Sequence, residues 1–179
     1  AIVQHLAAEL PLVVADRTQL QQVIINLLSN ASDALGEAPG RITVSTHAKT
    51  LTASEPTDDG VAAMNPGTYV ELRVVDTGCG MSEATRARVF EPFFTTKPAG
   101  RGLGMPAIGG IVRSLGGAIS VSSRLGEGSS FSVMLPAAGP SSGQQAHAGS
   151  VAAHPAAAAL PVAGPPAHAR LAGTVLIVD

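Results

Sequence analysis

The sequence is poor in aromatic residues, with four Phe, one Tyr and no Trp among 179. Single-stranded nucleic acid is bound largely by stacking bases on aromatic side chains, so that class of partner is disfavoured. No charge excess stands in for stacking, because 11 basic side chains meet 13 acidic ones. No nucleic-acid partner is expected. A single cysteine, Cys79, excludes an internal disulfide framework. Without metal-binding neighbours it is read as a small buried filler. Hydrophobic residues make up 45% of the chain, yet no run reaches the roughly 18 uninterrupted apolar residues of a spanning helix. The opening Ala1 to Leu10 lacks the basic and apolar regions of a secretory signal. A reducing, cytoplasmic setting without direct membrane contact is expected, and any anchor of a longer parent would lie in segments outside this chain. The chain opens inside an expected strand with no initiator Met and closes on Val175-Leu176-Ile177-Val178-Asp179, so it reads as an excised piece.

A composition break follows Pro136. From Ala137 to Gly173 the chain is almost entirely Ala, Pro, Gly, Ser and His, with no helical or strand period, and reads as a linker. Its histidines, His147, His154 and His168, are too widely spaced for a metal site. Before the break, Thr18 to Leu35 places Leu20, Val23, Ile24, Leu27, Leu28, Ala31 and Leu35 at helical spacing, with Asp16 as N-cap and Gly36 as stop. Alternation predicts strands at Arg41 to His47 and Tyr69 to Asp76, with a long surface loop over 48–67 between them. A short helix capped by Ser82 is expected to run to Val89, and another from Met105 to Leu115, ended by Gly116-Gly117. Ala118 to Ser123 and Ser130 to Leu135 read as a hairpin, while Ile2 to Leu6 and Leu12 to Val14 would add a sheet edge. The expected fold is α+β, a two-layer α/β sandwich with a mixed, mostly antiparallel sheet and helices on one face.

Three segments carry polar patterns that a core alone does not require. Gln22, Asn26, Asn30 and Asp33 recur along one face of the first long helix. A polar stripe is by default a solvated face, though amides are unusual choices for one. Asp76-Thr77-Gly78-Cys79-Gly80-Met81 follows a strand, so its glycines permit a tight turn at which backbone approaches a flat ligand. A carboxylate at the strand end can accept a hydrogen bond from an exocyclic amine such as adenine's. A dinucleotide fingerprint is excluded by Glu83 where a third glycine would stand. Gly100-Arg101-Gly102-Leu103-Gly104 opens a helix, where free backbone amides suit phosphate, with Lys97 and Arg101 to screen its charge. A plain turn and a flexible surface loop are the bland alternatives for these two segments.

In this order, the segments closely resemble the ATP-binding catalytic domain of sensor histidine kinases, of the Bergerat or GHKL group that includes gyrase, Hsp90 and MutL. The likeness spans about residues 2 to 136. Residues Gln21 to Ala31 match the N box and Asp76 to Met81 the first glycine box. The F box is Phe90-Glu91-Pro92-Phe93-Phe94-Thr95-Thr96-Lys97, the second glycine box Gly100 to Gly104 and the third Gly126 to Phe131. The Phe-Phe-Thr-Thr-Lys form is similar to nitrogen-regulation and hybrid kinases.

The resemblance implies ATP and Mg2+ as cofactors. Asn30 would ligate the metal, and Asp76 would take the adenine amine, supported by Ser129 through a hydroxyl or a water. Gly78, Gly80 and Met81 would shape the adenine pocket. Phe93, Lys97, Arg101, Gly102, Leu103 and Gly104 would belong to a lid over 91–104, and Asp33 would flank the nucleotide. Hydrolysing relatives place a glutamate one turn before the metal asparagine. Here Asn26 stands there and cannot accept a proton at neutral pH, which favours transfer over hydrolysis. The implied activity is protein-histidine kinase, with the phosphoacceptor supplied by a missing upstream dimerisation domain. His5 and His47, in strand contexts, are not assigned that role. Arg101, Met105, Pro106 and Ser129 depart from the usual residues. Gly173 to Asp179 resembles the first strand of a receiver domain, which would act in cis beside or instead of a separate response regulator. The divisions are therefore 1–136 catalytic, 137–172 linker and 173–179 truncated receiver. The rival readings are an ATPase or conformational clamp of the same group, and a non-catalytic docking module.

Overall fold

A computed structural model describes residues 1–54, 64–97 and 102–138. The linker beyond Ala138 with its histidines, the receiver-like end, Gly100 and Arg101 lie outside the described residues. The elements are β1 (Ile2–Leu6), α1 (Arg17–Leu35), β2 (Ile42–Leu51), β3 (Gly67–Asp76), α2 (Glu83–Arg88), α3 (Gly104–Ser114), β4 (Ala118–Arg124) and β5 (Gly128–Pro136). The strands form one sheet in the order β1-β2-β3-β5-β4. Only β1 against β2 is parallel, and the β2–β3, β3–β5 and β4–β5 pairings are antiparallel.

Helix α1 begins where its sequence signals it. The Asp16 carboxylate accepts the Gln19 N–H at 2.9 Å, satisfying one of the donors that a helix start leaves unpaired. Its apolar stripe buries Val23, Leu27 and Ala31. These meet Ile108 and Val112 of α3 and Ile42, Val74, Ile119, Val121, Phe131, Val133 and Leu135 of the sheet in one core. A fully buried side chain of this size contributes about 1.5–3 kcal/mol. Helix α3 tolerates Pro106 because it falls in the first turn, where no intrahelical N–H bond is lost.

Strand β2 runs four residues beyond the expected His47, and β3 starts two residues earlier than expected, pairing Ala48 to Leu51 with Val70 to Gly67. The extension was hidden because His47 to Thr50 are all exposed and so show no alternation. What holds its end is a second small cluster of Leu51, Tyr69 and Met134, with Met64 packed against it. The expected loop therefore shrinks to 52–66, of which 55–63 lie outside the described residues. Leu12 to Val14 does not extend the β1 edge. Instead Val13 makes an isolated antiparallel bridge to Ala137 just past β5. Among the described residues no helix is long and apolar enough to cross a membrane.

Candidate functional site

Strand β3 ends by burying a carboxylate. Asp76 is 3% exposed and pairs with Ser129 across the β3–β5 ladder. Its Oδ1 accepts the Gly78 N–H at 2.8 Å and the Ser129 N–H at 3.3 Å. A buried carboxylate requires donors of this kind. Both fall on one oxygen, and Oδ2 has no bonded donor among the described residues.

The turn after Asp76 is held by backbone on several sides. The Thr77 N–H donates to the Arg41 carbonyl at 3.1 Å, and its Oγ1 accepts the Arg41 N–H at 3.0 Å. The Cys79 N–H donates to the Ala34 carbonyl at 2.9 Å, and its carbonyl accepts the Gly126 N–H at 2.7 Å. Gly78 lies so close to the Ala34 carbonyl, and Gly80 to that of Arg124, that a Cβ at either would overlap backbone. Gly80 also sits at φ 62, a region that L side chains avoid. These main-chain contacts close the inside of the turn and leave no room there for a thiol. Cys79 is accordingly exposed, which corrects the expectation of a buried filler.

Below the turn lies a hydroxyl that sequence reasoning missed. Ser123 Oγ accepts the Met81 N–H at 2.8 Å and donates to the Gly128 carbonyl at 2.9 Å. With its one proton spent there, the 3.1 Å contact with Ser129 Oγ must be donated by Ser129. Ser129 was expected to support Asp76 through a hydroxyl or a water; the structure directs its hydroxyl to Ser123 and its backbone N–H to the carboxylate. Ser123 carried no sequence signal, being one Ser among several in alternating strands.

On α1 the polar stripe is real, with Asn26 and Asn30 half-buried and Gln22 and Asp33 exposed. The Asn30 amide is fixed at both ends: Nδ2 donates to Met105 Sδ at 3.0 Å, and Oδ1 accepts from Lys97 Nζ at 2.8 Å. The same ammonium meets Asp33 Oδ2 at 2.6 Å. A cation thus stands on Asn30 Oδ1. The F box reaches this point through a compact segment in which Arg88 lies over the Phe94 ring, 4.3 Å from its centroid, and pairs with Glu91 at 2.8 Å. Phe93 has φ 66, which is uncommon for a side-chain-bearing residue, and its N–H donates to the Gly102 carbonyl at 2.9 Å. Phe93 is 77% exposed, and Leu103 is also exposed. The structure therefore gathers Asn30, Asp33, Lys97 and Met105, and separately Asp76, Gly78, Gly80, Met81 and Ser129. Gly104 is the first residue of α3.

A family profile described as histidine kinase-, DNA gyrase B- and HSP90-like ATPase matches residues 15–139. The chain is 44% identical over 124 residues to the two-component sensor PprA of Pseudomonas aeruginosa, covering 68% of the chain and 12% of the relative. It is 38% identical to the sensor kinase CckA of Brucella abortus, covering 68% and 13%. To the sensor histidine kinase ZraS of Escherichia coli it is 39% identical, covering 71% and 23%. The chain thus spans less than a quarter of each of these relatives. Among solved structures, the catalytic domain of histidine kinase ThkA aligns at TM-score 0.58 and 31% identity, over 76% of this chain and 78% of that one. Full-length ShkA in complex with AMPPNP aligns at TM-score 0.59 and 28% identity, over 79% and 26%.

Proposed function

The chain belongs to the histidine kinase-, DNA gyrase B- and HSP90-like ATPases, and on that premise we propose that it holds MgATP for phosphoryl transfer to a histidine on an upstream dimerisation domain. The observation that carries this reading is the buried Asp76, with one oxygen secured by backbone donors and the other without a bonded donor among the described residues. That arrangement suits an exocyclic amine donor. Gly78 and Gly80 support it, because a Cβ at either would overlap the Ala34 or Arg124 carbonyl and displace the turn that follows the carboxylate.

The donor set also fits the metal. Asn30 offers a neutral amide oxygen, a hard ligand suited to magnesium, and the Lys97 ammonium already marks Oδ1 as a cation position. When bound, MgATP supplies the transferable phosphoryl group and the charge neutralisation that its transfer needs. Asp76 orients the base end, while Asn30 and Lys97 sit where the phosphate end would be positioned. The first turn of α3 presents backbone N–H groups that suit an anion. Positioning and electrostatics are then the chain's contribution. Asn26, half-buried one turn before Asn30, leaves no carboxylate at that place to activate water.

Within this reading, 137–172 is a linker and 173–179 the first strand of a receiver, so that the parent is a hybrid kinase of nitrogen-regulation type with a phosphorelay in cis. Calorimetry tests the site: Asp76→Asn and Asn30→Ala should each abolish ATP binding, and unchanged affinity in both would sink the assignment. Steady phosphate release by the wild-type chain alone would instead favour an ATPase clamp. Failure of the wild type to bind ATP or ADP at millimolar levels would make it a docking module.

A further inference from the structure

Asp33 lies three residues beyond Asn30 on the same face of α1, and a carboxylate there repels phosphate rather than cradling it. Its partner is Lys97, at 2.6 Å, across 64 positions of sequence. The same ammonium donates to Asn30 Oδ1 at 2.8 Å. The side chains of the ion pair are 42% and 51% exposed, so water and salt screen it and its contribution to stability is small. What the contact fixes is where the ammonium stands.

We propose that Asp33 is a positioning residue that parks the Lys97 ammonium on the metal-binding oxygen of Asn30, so that magnesium binding and passage of Lys97 to the nucleotide phosphates are one exchange. This rests on the reading of Asn30 as the metal ligand. Magnesium bonds oxygen at about 2.1 Å. With the ammonium 2.8 Å from the same atom, the two cations would stand within about 5 Å of each other, and Coulomb repulsion opposes their sharing it. The amide cannot turn Oδ1 elsewhere without breaking the Nδ2 bond to Met105 Sδ. The lysine must therefore give way, and its flexible stem lets it exchange one anionic partner, Asp33, for another, the phosphates. Asp33 sets how strongly the lysine competes.

The test is calorimetric titration of ADP at a series of Mg2+ concentrations, reading the Mg2+ midpoint, for wild type, Asp33→Asn, Lys97→Met and the double variant. Untethering the lysine by Asp33→Asn should lower the midpoint about threefold to fivefold, the scale of an exposed ion pair. Lys97→Met should lower it at least as far, although ADP affinity at saturating Mg2+ falls with the lost phosphate partner. In the Lys97→Met background, Asp33→Asn should have no further effect. A midpoint raised by Asp33→Asn in both backgrounds would make Asp33 a metal ligand and overturn the proposal, as would an unchanged midpoint or independent, additive shifts. Asn30→Ala is the separate arm. If its Mg2+ dependence matches wild type, the metal assignment of Asn30 fails, whereas the other outcomes alone defeat only the exchange.

Discussion

Replacing Gly80 by Ala tests whether the turn is built by close backbone approach or only by conformational freedom. The residue sits at φ 62, where a Cβ meets its own carbonyl neighbourhood at a cost of about 1–2 kcal/mol. That Cβ would also overlap the Arg124 carbonyl oxygen and lie 2.8 Å from the Arg124 carbonyl carbon and 3.0 Å from the Gly128 oxygen. Neither wall is a flexible side chain, so relief requires moving the β4–β5 turn and weakening the Gly126 N–H bond to the Cys79 carbonyl. A backbone bond of that kind is worth about 1 kcal/mol. The sum is about 2–3 kcal/mol of stability. Gly126→Ala is the control, because Gly126 has φ 81 but nothing within 4 Å of its Cβ position. It should lose only about 1–2 kcal/mol, the conformational part alone. Urea denaturation of both variants, with unchanged m-values, measures the difference. Equal losses would refute the close-packed turn.

Other variants probe the neighbouring links. Ser123→Ala strands the Met81 N–H and should cost about 1–3 kcal/mol in the same urea assay while weakening ADP binding in calorimetry. Leu27→Ala, at a fully buried position between helix and sheet, should cost about 2–5 kcal/mol. A loss below 1 kcal/mol there would mean that the core is not packed as described. Asp16→Ala removes the α1 cap and should cost about 1 kcal/mol, with Asp16→Asn restoring most of it.

Much of the architecture was legible because local chemistry and tertiary demand agree. Asp16, the 3.6-residue stripe and Gly36 delimit α1 nearly to the residue, and period-2 alternation located β3, β4 and β5. What was not legible depends on partners far along the chain. The last residues of β2 are held by Leu51 against Tyr69 and Met134, a cluster no local pattern announces. Cys79 was misjudged because a lone thiol without metal-binding neighbours suggests a buried filler, whereas the turn closes on main-chain atoms. The sequence placed Asn30, Asp33 and Lys97 near one ligand, but their mutual contact spans 64 residues and follows from the F box folding back over α1. Ser123 gained its place only through cross-strand register with Ser129.

The most direct test of the central claim is the discrimination between ADP and inosine diphosphate, which carries an oxygen in place of the exocyclic amine. If Asp76 reads that amine, calorimetry with Mg2+ should show ADP bound about tenfold to a hundredfold more tightly, the scale of a hydrogen bond to a charged acceptor. Asp76→Asn should then bind neither nucleotide measurably. Equal wild-type affinity for the two nucleotides would contradict the account.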